Sequence, residues 1–297
     1  MLNLLEYVMP FLVHELDLLI GWMVERDRVR TLKEAGQEKP WTQDQWLLQY
    51  RWCNVRRMDD RVSRALATHW YSEPGDDILD LVAATLARLV NWPDSLFEIS
   101  GHQPFKLDHL HHMRERLLRR ASAGEKVFTG AYVIPGVPGQ DKVTSVCALV
   151  DRVHEKASDV LARSMQTTWA NLLQFEGLGS FLAGQIVADL ASIGAGQKWR
   201  DSRSWAPVGP GSARGLNRLL GRPKAKAVTQ LEFDELLPEV IISVRPRVQS
   251  LWDDRKLIAM DIQNCLCEFD KMRRLQLGEG TVRARYDGLG PRQMSWL

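Results

Sequence analysis

Apolar residues recur every three or four positions along nearly the whole of this 297-residue chain, and that period limits the folds open to it. Helical runs fit residues 11–34, 42–52, 55–71, 76–91, 107–122, 141–163, 166–175, 180–192, 211–220, 231–251 and 257–275. One stretch departs from the pattern. KVFTGAYVI at 126–134 is rich in β-branched and aromatic residues and runs into the turn-forming PGVPG, which suggests a short strand or hairpin. Strands and helices do not alternate and nothing repeats, so a parallel α/β sheet and a solenoid are excluded. The expected fold is mainly α, with at most a short β hairpin. Gly36, Gly124 and Gly221 fall where helix C-caps belong, and Thr42 with Gln45 reads as an N-cap and capping box.

The formal net charge is only +2, less than a chain gripping nucleic acid by charge alone would carry. A nucleic-acid role therefore needs a local patch, and arginines do cluster at 51–64, 114–120, 214–222 and 273–285. Cys53, Cys147, Cys265 and Cys267 form no C-x-x-C pair, which suits free thiols in a reducing cytoplasm. The apolar start is interrupted by Glu6, Pro10, His14, Glu15 and Asp17. It reads as a core helix starting or kinking at Pro10, not as a signal peptide or membrane span. His109, His111 and His112 lack a second ligand group at zinc spacing and read as surface residues. No G-x-x-x-x-G-K-[ST] or G-x-S-x-G occurs in the sequence.

Four segments carry candidate chemistry. In FEGLGSFLAGQIVADL (175–190), Gly177-Leu178-Gly179 makes a tight turn before a helix opening at Ser180. It is either a simple turn between packed helices or a place where backbone amides meet a DNA phosphate. In VGPGSARGLNRLLG (208–221), a glycine loop with Ser212 leads into a helix bearing Arg214, Asn217 and Arg218, a combination suited to a diphosphate or to an ordinary basic surface helix. In YRWCNVRRMDDRVSRAL (50–66), Arg51, Asn54, Arg57, Asp60, Arg61 and Arg64 would stack along one helix. In DIQNCLCEFDKMRR (261–274), Gln263, Asn264, Glu268, Asp270 and Lys271 share a helix, where a carboxylate beside a lysine can bind and deprotonate an amine or simply form a surface pair.

Taken in order, YRWCNVRRMDDRV, GEKVFTGAY, FEGLGSFLAGQIVADL, GPGSARGLNR and IQNCLCEFDK closely resemble the α-glutamyl/putrescinyl-thymine pyrophosphorylase-related family, over about residues 20–286. Members of that family are also described as amino-acid:DNA transferases, and the same module is known as the helical domain of hydroxymethyluracil DNA kinases. The resemblance implies a DNA-glycosylase-like helical fold with a helix-hairpin-helix element. It would be one domain over 1–277, divisible into two lobes with a cleft between them, followed by a basic tail over 278–297. The implied setting is thymidine hypermodification in bacteriophage DNA, in the host cytoplasm. A separate P-loop kinase converts hydroxymethyluracil in DNA to a pyrophosphate ester, and the transferase displaces that pyrophosphate with an amino acid or polyamine. The chain departs from glycosylases in carrying Ser180-Phe181 where lyase-type members place a nucleophilic lysine, and in lacking their four-cysteine iron–sulfur loop.

The expected partners are double-stranded DNA containing modified thymine and a small amine or amino acid, with no membrane. Gly177, Gly179 and Ser180 would hold the DNA backbone. The modified base would be flipped out of the stack. Ser212, Arg214, Arg218 and Arg57 would hold the pyrophosphate. Asp201, 22 residues after Gly179 and near the place of a glycosylase's catalytic aspartate, is the first choice for the base that deprotonates the amine, with Glu268 second. Asn54, Gln185, Asn264, Asn217, Asp270 and Lys271 are the candidates for reading the base or the amino acid. No cofactor or metal is demanded, although Mg²⁺ can accompany the pyrophosphate. Two rivals share the fold: a base-excising glycosylase using Asp201, and a non-catalytic DNA-binding module that works alongside the kinase.

Overall fold

The computed structural model of the protein describes residues 10–71, 75–130, 133–134, 136–253, 256–280 and 282. The described residues form fourteen α-helices joined by short 3-10 turns, without a β-strand. They divide into two compact units. The first comprises the described residues of Met1–Arg57 and Arg203–Leu289, the second those of Met58–Ser202.

The first unit is organised on α14 (Ala259–Gln276), with α1 (Val13–Glu34), α11 (Pro210–Leu219) and α12 (Gln230–Val244) packed on it. α14 presents Ile262, Cys265, Leu266, Phe269 and Met272 at helical spacing, and all are buried. Leu19 and Met23 of α1, Leu216 and Leu219 of α11, and Phe233 and Leu237 of α12 are fully buried as well. Each such side chain contributes roughly 1.5–3 kcal/mol of burial. The short helices α2 (Gln45–Gln49) and α13 (Gln249–Asp253) complete the unit.

The second unit surrounds α4 (Asp77–Val90), whose residues from Asp80 to Val90 are all buried. A helix buried on every side lies at the centre of its layer. α10 (Ser180–Leu190), α7 (Lys142–Glu155), α5 (Pro93–Ser100) and α8 (Ala157–Val160) pack on it. α6 (Leu110–Ser122) lies on α5 and α7, α9 (Met165–Leu172) lies on α8 and α10, and α3 (Arg61–Ala65) runs into a π-helical turn at Leu66–Trp70. One ion pair crosses this core. The Arg88 guanidinium grips Asp189 with two bonds of 2.5 Å, and the Tyr71 hydroxyl donates to the same carboxylate at 2.6 Å.

Glycine C-caps stand where the sequence places them: Gly36, Gly124 and Gly221 have φ of +69°, +72° and +63°. Other expectations need correction. Residues 51–56 are not helical, because side chains capture their backbone. Arg26 Nε donates to Cys53 O, the Lys271 ammonium to Arg51 O, and the Arg57 N–H to Asp261. Arg51, Asn54 and Arg57 therefore do not stack along a helix with Arg61 and Arg64. The expected strand at 126–134 is also missing from its described residues; Ala131 and Tyr132 lie outside them. Residues distant in sequence bond its backbone instead: the Ser95 hydroxyl donates to Val127 O and the Thr129 N–H to Val90 O. Asp44, not Thr42, caps α2, accepting from the Trp46 and Leu47 amides, while the Thr42 hydroxyl donates to Glu25. α5, which the helical pattern skips, restarts the chain after Asn91 at φ +43° with Pro93 at its first turn. The runs at 141–163 and 231–251 break at Lys156 and after Val244. Residues 1–9 of the apolar start, and the expected basic tail beyond residue 282, lie outside the described residues.

Candidate functional site

In the first unit the glycines of the 208–221 segment let α11 approach α14 closely. A Cβ on Gly215 would lie 2.2 Å from Leu266 O, and one on Gly211 would lie 2.9 Å from Cys267 Sγ. Ser212 is fully buried in this contact. Its hydroxyl donates to Gly209 O and accepts from the Gly209 N–H and from Gln263 Nε2. Asn217 is fully buried too; its amide donates to Lys226 O at 2.8 Å, which fixes the turn after α11. Burial pushes the neighbouring Cys267 thiol up to about 12 and raises that of Cys265, so neither is a thiolate nucleophile near neutrality.

Charge gathers at the edge of the same contact. Asp270, buried on α14, accepts from Arg214 Nε at 2.7 Å and Arg218 Nε at 2.9 Å. Arg218 is nearly buried and also reaches Glu279 with Nη2 at 2.6 Å. Arg214 is about one-third exposed, and among the described residues Nε is the one nitrogen of its guanidinium that makes a hydrogen bond. A charged fork anchored at one corner, with two further donor nitrogens left over, is a ready partner for phosphate oxygens.

A neighbouring face of α14 meets the irregular segment 51–57. Lys271 lies 3.1 Å from Glu268 Oε2 and 4.3 Å from the centroid of the Trp52 ring. Glu268, 9% exposed, also receives a long bond from the Cys53 N–H, 3.4 Å. Its other oxygen has no partner among the described residues. Arg26 of α1 donates to Asn54 Oδ1, and Trp22 packs at 6.0 Å from Trp52. Asn264, one turn before Glu268, is half-buried and its amide makes no bond among the described residues. Asp261, beneath Arg57, is raised to about 6 by burial, against the pull of the Arg57 and Ile258 amides.

The second unit holds the glycine turn. α9 and α10 are joined through Gly177, at φ +100°, and Gly179, which caps α10 without a side-chain bond. A Cβ on Gly179 would meet no heavy atom within 4 Å. Phe181, the second residue of α10, is 55% exposed. Asp201 belongs to this unit. Its two oxygens accept the Met165 and Gln166 amides at 2.9 and 3.0 Å, so it caps the start of α9. Gln185 lies half-buried on α10.

The structure thus brings Asn54, Ser212, Arg214, Asn217, Arg218, Asn264, Glu268, Asp270 and Lys271 into the first unit, with Arg57 at its boundary. It puts Gly177, Gly179, Ser180, Gln185 and Asp201 in the second. Sequence reasoning missed Arg26, Lys224 and Glu279, whose partners lie far away in sequence, and the Arg88–Asp189 pair. That pair did leave a signal: Asp189 is the one charge of an otherwise apolar helix, and Arg88 is the one cation of a helix buried from Asp80 to Val90. Among the described residues no three His, Cys, Asp or Glu side chains gather as a metal site, and no helix is long and apolar enough to cross a membrane. A family model described as 5-hmdU DNA kinase, helical domain, matches residues 14–281. No curated protein and no solved structure matches the chain.

Proposed function

The chain belongs to the 5-hmdU DNA kinase helical-domain family, and from that membership we propose that it modifies DNA bearing a hydroxymethyluracil-derived base, exchanging an activating pyrophosphate for an amine. The observation that carries this reading is the arrangement on α11 and α14. Arg214 and Arg218 offer anion donors braced on Asp270, and on another face of the same helix, at the same level, Glu268 and Lys271 offer a carboxylate beside an ammonium.

In this reaction the exocyclic carbon gains a C–N bond and loses its C–O bond, and the electron pair leaves with the pyrophosphate oxygen. Arg214 and Arg218 stabilise the charge on that oxygen. The incoming ammonium must shed a proton before it can attack, and Glu268 takes it. Glu268 suits this role better than Asp201, whose oxygens both hold the start of α9. Asp201 is then a positioning residue. Ser212 and Asn217, consumed inside the α11 contact, hold the arginine helix in place instead of touching ligand. Asn54 and Asn264 flank Glu268 and read the base or the amino acid, while Lys271 attracts its carboxylate. A metal is optional here, Mg²⁺ entering as counter-ion of the diphosphate.

The glycine turn of the second unit supplies the DNA contact. Open space over Gly179 and the uncapped start of α10 suit a phosphate, and Gln185 on the same helix adds to DNA reading. The base is flipped to expose its exocyclic carbon. The work takes place in the host-cell cytoplasm, where phage DNA is modified.

The family's own description favours one further reading, in which the module presents DNA to a kinase and does no chemistry itself. The test supplies duplex DNA carrying the pyrophosphorylated base with a panel of amines, then digests and weighs the nucleosides. A new amino-substituted thymidine with release of pyrophosphate, lost in Glu268→Gln while DNA binding persists, supports the transferase. Unchanged nucleosides with every amine, alongside intact DNA binding, favour the presenting module. Free base with abasic sites would mean a glycosylase.

A further inference from the structure

Behind Arg214 and Arg218 lie two side chains that no motif had singled out, Lys224 and Glu279. α14 ends in a glycine turn: Gly278 and Gly280 have φ of +66° and +81°, and the Glu279 N–H closes back onto Arg274 O at 2.8 Å. This turn delivers Glu279 onto two cations. Its Oε2 accepts from Arg218 Nη2 at 2.6 Å and from Lys224 Nζ at 2.8 Å. Arg274 Nε donates to the Glu279 carbonyl at 3.2 Å. Three cationic side chains, Arg214, Arg218 and Lys224, therefore share two carboxylates, Asp270 and Glu279, while Arg274 holds the Glu279 backbone.

The two carboxylates are not equivalent. Asp270 is 1% exposed and uses both oxygens, one for each arginine, so it is a fixed brace. Glu279 is about one-quarter exposed, crowds both cations onto one oxygen, and leaves the other without a partner among the described residues. A single carboxylate oxygen is a meagre match for a cluster that still has free donors on Arg214. A phosphate would offer three oxygens at the same place and more charge.

We propose that Arg218 and Lys224, together with Arg214, form a phosphate-binding site that Glu279 occupies as a built-in stand-in, and that a diphosphate-bearing ligand enters by displacing it. The proposal rests on the reading of Arg214 and Arg218 as the pyrophosphate cradle, and it adds Lys224 to that cradle and a resident competitor to its regulation. Glycines on both sides give Glu279 the backbone freedom to swing away without side-chain strain. The strength of the local positive field is visible in the Glu279 carboxyl itself, which its bonds to Lys224 and Arg218 hold at about 2. The simple alternative is an ion pair that only fastens the end of α14. The two accounts diverge when Glu279 loses its charge: a fastener's removal gives anions nothing, whereas a stand-in's removal opens a site.

The experiment titrates inorganic pyrophosphate into the full chain by calorimetry at fixed ionic strength, comparing the unaltered protein with Glu279→Gln and with Glu279→Gln combined with Lys224→Gln or Arg214→Gln. Thermal melts confirm that each variant folds. The expected result is binding at least ~10-fold tighter in Glu279→Gln, with that gain erased by either second substitution. Equal binding with and without the Glu279 charge overturns the proposal, and if Arg214→Gln then abolishes it, the cradle of the proposed function still stands. Absence of pyrophosphate binding from every variant also overturns it. Tighter binding in Glu279→Gln, with no amine incorporated in the nucleoside assay, keeps the site and removes the transfer chemistry.

Discussion

Two glycine-rich segments look alike in this sequence and do opposite things. In GPGSARG the glycines face inward. Gly211 and Gly215 make room for Cys267 and for the carbonyl of Leu266, so α11 and α14 meet almost backbone to backbone. In EGLGS no helix presses on Gly179. Gly177 supplies a left-handed bend, and Gly179 has nothing within reach of a missing side chain. A glycine can therefore admit a neighbour from within the protein or leave space for something from outside, and composition does not tell which. What separates the two here is the helix that lies opposite.

The sharpest way to break this comparison is Gly215→Ala. Its methyl would need backbone to move, so we expect about 3 kcal/mol or more of lost stability, at the upper end of overpacking costs, read as a large fall in melting temperature. A modest loss would show that α11 can slide on α14 and that the contact is looser than its geometry. In the other segment, Gly177→Ala should cost about 1–2 kcal/mol through its positive φ alone. Gly179→Ala should stay within about 0.5 kcal/mol of the parent while weakening duplex DNA binding several-fold. Equal DNA affinity for Gly179→Ala and the parent would remove the outward role. The smallest effect concerns acid. The Glu279 carboxyl, held at about 2, takes up its proton later in the folded chain than in the unfolded one, whose ordinary value is 4.5. Its stabilisation is therefore whole above pH 4.5 and is lost as pH falls toward 2. The melting difference between the parent and Glu279→Gln should shrink over that window, and a difference independent of pH would mean that the contact on Arg218 adds no charge-based hold to α11.

Periodicity made most of the helices legible. α4 and α14 stand within two residues of their expected bounds because each has an unbroken apolar face and ends in a glycine or asparagine turn. What the sequence concealed was long-range competition for the backbone. YRWCNVR has helical spacing, yet Arg26, Lys271 and Asp261, distant in sequence, bond its carbonyls and amides and leave the segment irregular. KVFTG likewise has strand composition but no strand beside it, since Ser95 and Val90 take its polar groups first. At the site, the residue types on α11 and α14 were readable and their tasks were not. Ser212 and Asn217 look as available as Arg214 in the string of letters, and burial alone separates them. Glu279 gave no local hint, because its meaning depends on Arg218 and Lys224 across the turn that ends α14.

The Arg88–Asp189 clasp has a practical corollary. Ions in solution weaken contacts between exposed charges and phosphates, but they hardly reach a pair sealed away from water. Brine strong enough to strip nucleic acid from the surface should leave the middle of the second unit untouched, so release from DNA and loss of shape are events that ionic strength can pull apart.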